Sequence, residues 1–218
     1  MELRGLKINF LGDSITFGVG SSAPDKVYHA ILKEKAGLAE VRNYGINGTR
    51  YAFQHNRTTQ THDNSAFTER FDRMLDDADV VVVFGGTNDF GHGDAPLGKP
   101  SDRTPETFYG ACHYLYSGLI KKYIGKPIVI MTPLHRTDEC TGTDLPEQSL
   151  KTYVDIIREV AEYYSLPVLD LFRESGMQPV VDEVKQMYFV DNVHPNDNGR
   201  AFIGKIYADA VKTLIIHS

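Results

Sequence analysis

The sequence predicts an α/β protein: a parallel sheet with helices packed on both faces. Two observations carry this. Short apolar runs alternate with longer stretches of helical spacing, the pattern of repeated β-α-β units. The connections are also asymmetric: those from a helical stretch back to a strand look short, and those from a strand to a helix look long. A length of 218 residues suits one such domain, here taken to span residues 1–218.

The apolar runs are residues 6–11, 41–44, 80–84, 128–131 and 168–171. Most are rich in Val or Ile, as strands buried on both faces are. Residues 147–164 place Leu150, Val154, Ile157 and Val160/Ala161 on one helical face, and residues 198–215 do the same with Phe202, Ile206, Ala210 and Leu214. Segments 23–36, 65–77 and 105–124 are weaker helix candidates. The long strand-to-helix connections are 45–64, 85–104, 132–146 and 172–197. Ligands of open α/β sheets bind outside the carboxyl ends of the strands. All the long loops fall on that edge, so the site is expected there, before any motif is considered.

Bulk composition excludes several classes. The chain is 41% hydrophobic and 24% charged, ordinary for a soluble globular protein. Its net charge of -6 and lack of a Lys/Arg-rich run argue against a nucleic-acid partner. No signal-peptide pattern and no apolar stretch of membrane-spanning length is seen, which predicts an intracellular, cytoplasmic protein with no stable membrane association. Cys112 and Cys140 form neither a CxxC nor a zinc spacing, and nothing calls for a disulfide between them. His55, His62, His92, His113 and His135 show no ligand spacing, so no metal and no cofactor is expected. Gly18-Val19-Gly20-Ser21-Ser22-Ala23 spells a dinucleotide-binding pattern, but it starts well beyond the end of the first strand. There is no GxSxG elbow and no Walker A motif.

The residues at the carboxyl ends of the strands form a chemical set. Ser14, in Gly12-Asp13-Ser14-Ile15, follows the first strand directly. A serine hydroxyl needs a base to take its proton. His194, in Asp191-Asn192-Val193-His194-Pro195, is the candidate, with Asp191 three residues earlier to hold the imidazole. Developing negative charge on a substrate oxygen needs fixed donors. Asn88 follows the third strand and Gly48 the second. With the backbone N–H of Ser14 they make three donors from adjacent strand ends. Singly, each residue has an ordinary explanation: Ser14 as a helix cap, Asp191 as a turn former, Gly48 as a turn glycine. Asp89 is expected to cap the helix after the third strand, and Asp13 to be structural.

At these positions the chain resembles the SGNH/GDSL hydrolase family of GDSL-like lipases and acylhydrolases. Ser14, Gly48 and Asn88 match its first three sequence blocks in order, and Asp191 and His194 match the fourth in its Asp-x-x-His form. The first block reads Gly-Asp-Ser-Ile rather than Gly-Asp-Ser-Leu, and Ile15 keeps the apolar character. The resemblance implies a three-layer α/β/α sandwich, flavodoxin-like, with a five-stranded parallel sheet of order 2-1-3-4-5. It implies metal-free ester hydrolysis through an acyl-serine, with Ser14, Asp191 and His194 catalytic and Ser14, Gly48 and Asn88 as the oxyanion hole.

The edge loops are polar, which points to a small-molecule ester with a short acyl group, such as acetyl, on a carbohydrate or other polar alcohol. Phe17, Tyr51, Phe90 and Arg136 are the expected substrate contacts. For Phe17, and for neighbouring Phe53, the alternative is a place in the core. A lysophospholipase or acyl-thioesterase of the same family is the second reading, and a flavodoxin-like binding module without catalysis the third. Oligomeric state is not legible.

Overall fold

The computed structural model describes residues 3–140 and 149–214. Residues 141–148, which hold the end of the expected 132–146 loop and the start of the expected 147–164 helix, lie outside it, as do residue 215 and the Leu214 side chain.

The five apolar runs are five parallel strands: β1 (Lys7–Gly12), β2 (Glu40–Gly45), β3 (Val80–Phe84), β4 (Ile128–Met131) and β5 (Val168–Leu169). They lie in the order β2-β1-β3-β4-β5. Nine α-helices occur among the described residues: α1 (Ser14–Phe17), α2 (Tyr28–Ala36), α3 (Phe67–Arg70), α4 (Thr87–His92), α5 (Phe108–Lys122), α6 (Leu150–Tyr163), α7 (Leu171–Glu174), α8 (Asp182–Tyr188) and α9 (Asp197–Leu214).

Side chains alternate across a strand, and β3 shows how one sheet feeds two cores. Val80, Val82 and Phe84 pack with Tyr28 and Leu32 of α2 and Ile203 and Tyr207 of α9. Val81 and Val83 pack on the opposite face with Phe67 of α3, Ala111 and Leu115 of α5, and Ile157 and Val160 of α6. This makes the three-layer sandwich.

Most elements differ from their expected bounds by a few residues, and two departures have a clear physical reading. The fifth strand stops at Leu169 because the Asp170 carboxylate accepts the Arg173 N–H at 3.2 Å and starts α7. In α9 the buried face carries Ile203, Gly204 and Tyr207, while Phe202, Ile206 and Ala210 are half-buried.

Strand order reverses between β1 and β3. In doubly wound sheets this switch point opens a crevice at the carboxyl edge. Ser14 begins α1 directly after β1, and α4 begins two glycines after β3. At Gly45, the end of β2, a side chain is impossible: a Cβ there would lie 2.3 Å from the Phe17 nitrogen. The short α1 therefore lies close against the end of β2.

Candidate active site

The Ser14 side of the site is built from backbone geometry. Asp13, not Ser14, caps α1: its Oδ1 accepts the Ile15 N–H at 2.9 Å. The cap role being taken, the Ser14 hydroxyl is left to face His194, with Oγ 2.9 Å from Nε2. His194 lies in the turn after α8, tied down by the Val190 N–H bonding to its carbonyl at 2.9 Å. Asp191 organises this turn. Its Oδ1 accepts the Val193 N–H at 2.8 Å and the His194 N–H at 2.7 Å, and its Oδ2 lies 2.7 Å from His194 Nδ1. A carboxylate only accepts, so Nδ1 carries the proton and Nε2 presents its lone pair to the serine hydroxyl. Partial burial pushes the Asp191 carboxyl up, but its hydrogen bonds from His194 and Val193 outweigh this and hold it below its ordinary range.

Two buried arginines join the pieces. Arg200, at the start of α9, donates to the carbonyls of Ile15 at 2.7 Å, Pro195 at 3.1 Å and Val19. One guanidinium thus spans the serine helix and the histidine turn. Arg70 of α3 donates to the carbonyls of Gly12 at 2.7 Å, Ser65 at 2.9 Å and Tyr44, joining the ends of β1 and β2. Burial pushes both down to about 10, so both stay charged at neutral pH. A guanidinium carries five donors, and several carbonyls from separate segments can share it. Neither residue was legible beforehand, because a buried arginine bonded to backbone carbonyls has no sequence signature.

Asn88, on the first turn of α4, is buried, and its Nδ2 donates to the Thr49 carbonyl at 3.0 Å. This links α4 to the loop holding Gly48, which has φ +72°, a left-handed conformation suited to glycine. The neighbouring Asp89 is not the expected helix cap. Its carboxylate accepts the Tyr51 N–H at 2.9 Å and the Ala52 N–H at 3.0 Å, bolting the loop after β2 to α4.

The expected substrate contacts separate. Phe17 is 55% exposed and belongs to no core. Phe90 is half-buried, with its ring edge against Tyr153. Phe53 is also half-buried, with the Arg57 guanidinium 3.8 Å from its ring centre. Arg136 is buried and committed to the protein, donating to the Thr87 carbonyl at 3.1 Å and to Asp138 at 2.8 Å. The expectation for Tyr51 is corrected: its ring is completely buried, stacked on Phe67 and edge-on to Phe108 and Tyr116, with no face left for a ligand. Cys112 is buried, Cys140 is exposed, and both are unbridged. Among the described residues no helix is long and apolar enough to cross a membrane.

At the switch point of the parallel sheet a serine, an imidazole and a carboxylate are hydrogen-bonded in sequence, an arrangement that suits a hydrolase. The chain belongs to the GDSL-like lipase/acylhydrolase family, whose model matches residues 10–202. One solved protein is 31% identical over 98% of this chain and 99% of that chain, with a TM-score of 0.86. A protein from Lactobacillus plantarum is 28% identical over 96% of this chain and 98% of that chain, with a TM-score of 0.82. A lipase/acylhydrolase from Enterococcus faecalis is 21% identical over 95% and 96% of the two chains, with a TM-score of 0.65, a likeness of fold. Among curated proteins no match is found.

Proposed function

We propose that this protein removes a short acyl group, acetyl above all, from a carbohydrate or similar polar alcohol, through an acyl intermediate on Ser14. The observation that carries the reading is the Ser14–His194–Asp191 chain, with contacts of 2.9 and 2.7 Å. Ser14 Oγ attacks the ester carbonyl and its proton passes to His194 Nε2. The oxyanion is met by the Ser14 N–H, at a helix position where no helical carbonyl accepts it, and by Asn88 and the Gly48 N–H. Collapse expels the alcohol, whose oxygen takes the proton from His194. Water, deprotonated by the same imidazole, then releases the acid.

The preference for a polar alcohol rests on the surroundings. Gly20 packs on the His194 turn, where a Cβ on it would lie 2.7 Å from the Pro195 carbonyl. An open groove of about 530 Å³ runs from there past Ser21, Ser22, Asn196, Asp197 and Asn198, with Val190 the one large apolar side chain among the described residues that line it. The exposed ring of Phe17 offers a flat face near Ser14 for a sugar. One observation favours a lipid-directed esterase instead: Val190, 55% exposed, adds an apolar surface beside His194.

The test is a series of p-nitrophenyl esters from acetate to laurate, together with acetylated sugars, assayed on wild type and Ser14→Ala. Activity should peak at acetate or propionate and fall on the order of 10⁶-fold in the variant. A peak at octanoate or longer overturns the short-acyl reading. Equal inertness of wild type and variant overturns catalysis.

A further inference from the structure

Asn88 can serve as an oxyanion donor only if its amide nitrogen, and not its oxygen, is presented to the site. The hydrogen bonds around it dictate which. His92 lies one turn further along α4, partly exposed to solvent, yet with partners at both ring nitrogens. The Arg50 guanidinium donates to His92 Nδ1 and also to the His92 carbonyl at 3.0 Å. Arginine has no acceptor, so Nδ1 must hold a lone pair and the ring proton sits on Nε2. Nε2 lies 3.1 Å from Asn88 Oδ1 and therefore donates to it. On its other side Asn88 Nδ2 donates to the Thr49 carbonyl at 3.0 Å. Flipping the amide would set N–H against N–H and carbonyl against carbonyl. One N–H of the amide is used by Thr49 and the second remains.

We propose that His92 is a positioning residue for ester hydrolysis: it holds Asn88 with its amide N–H turned to the oxyanion and, through Arg50, locks α4 to the loop carrying Gly48. This rests on the serine-hydrolase reading above. Arg50 follows Gly48 and Thr49 directly, so two of the three oxyanion donors are coupled by one chain: Gly48 loop, Arg50, His92, Asn88. His62 sits over the junction, its ring centre 6.1 Å from that of His92, and a Cβ at Gly48 would lie 3.0 Å from it. The groups facing His92 are Arg50, His62 and Arg136, all basic. Partial burial first, and then these neighbours, push its imidazole below its ordinary value, which supports the neutral tautomer that the geometry requires.

The test is a double-mutant cycle on the best p-nitrophenyl ester. In wild type, His92→Phe should lower kcat by roughly ten- to a hundredfold with little change in KM, less than the 10²–10³ expected for Asn88→Ala. In the Asn88→Ala background the same change should cost less than about twofold, because the group His92 acts through is gone. His92→Gln, whose side-chain amide can donate to Asn88, should recover part of the loss. A boronic acid that mimics the tetrahedral intermediate should lose affinity in parallel with kcat. Equal losses in both backgrounds, or a loss confined to KM, overturn the proposal while leaving the hydrolase reading intact. An inert wild type overturns both. Should the variants fail to fold, nitrogen-15 spectra of the wild-type imidazoles decide: His92 must be protonated on Nε2 and bare on Nδ1 at neutral pH, and the opposite tautomer contradicts the inference.

Discussion

Asp13 and Asp191 both stand beside the hydrogen-bonded Ser14–His194 pair, and the protein uses them in opposite ways. Asp13 is next to the serine in sequence, 1% exposed, and its carboxylate serves the backbone of α1. Burial pushes its carboxyl up to about 6, against the pull of the Ile15 N–H, His194 and Arg70. Asp191 is far from the serine in sequence, with a side chain 51% exposed, yet it holds the imidazole and stays below the ordinary carboxylate range. The difference is one of geometry rather than proximity. In a turn, a carboxylate can bond two backbone N–H groups with one oxygen and keep the other for Nδ1. At the first turn of a helix the capping oxygen is directed at the helix itself.

The comparison breaks first at Asp191. Asp191→Asn preserves shape but reverses the hydrogen-bonding sense at Nδ1, so kcat on short esters should fall by about 10³–10⁴. A loss under tenfold would mean that Asp191 only shapes the turn.

Arg200→Leu comes next, since it leaves the buried Ile15 and Pro195 carbonyls and the half-buried Val19 carbonyl without their donor. It should lower unfolding stability by roughly 3 kcal/mol, read from urea denaturation. Unchanged stability would show that the serine helix and the histidine turn hold together without the clamp.

The smallest effect is at Asp13. The native carboxyl binds its proton more tightly than the unfolded chain does, so ionising it destabilises the fold. The contribution of Asp13 to stability should fall as pH rises between 3.8 and about 6. Asp13→Asn keeps an acceptor for the Ile15 N–H and does not titrate. Wild type should therefore lose stability relative to Asp13→Asn across that interval, with kcat changed by less than about tenfold. A loss of activity comparable to that of Asp191→Asn would erase the distinction between the two acids.

How much of this was legible follows the same physics. The runs of β3 and β4 were readable to the residue, because fully buried parallel strands are continuous apolar stretches with no face to confuse. The positions of Ser14 and Asn88 were readable because each lies just after a strand, β1 and β3, at the carboxyl edge; Asp191 and His194, in the turn after α8, were readable only from their spacing. Tyr51 misled because nearness to Gly48 in sequence says nothing about where a ring points, and its neighbours Phe67, Phe108 and Tyr116 come from other segments. Asp89 misled similarly: its partners are backbone N–H groups of another loop rather than of its own helix. Asn88 and His92 one helical turn apart did carry a signal for a paired contact. Metal-ligand spacing among the histidines does not reveal it.

The proposed mechanism places the acyl group on Ser14 Oγ, with His194 taking the proton. Rapid-quench digestion after mixing with p-nitrophenyl acetate, followed by mass spectrometry, tests it directly. The peptide containing Ser14 should carry one acetyl group in wild type and accumulate it when deacylation is slowed, and the Ser14→Ala protein should carry none. Acetyl found on another residue, or full turnover in Ser14→Ala, would contradict the account.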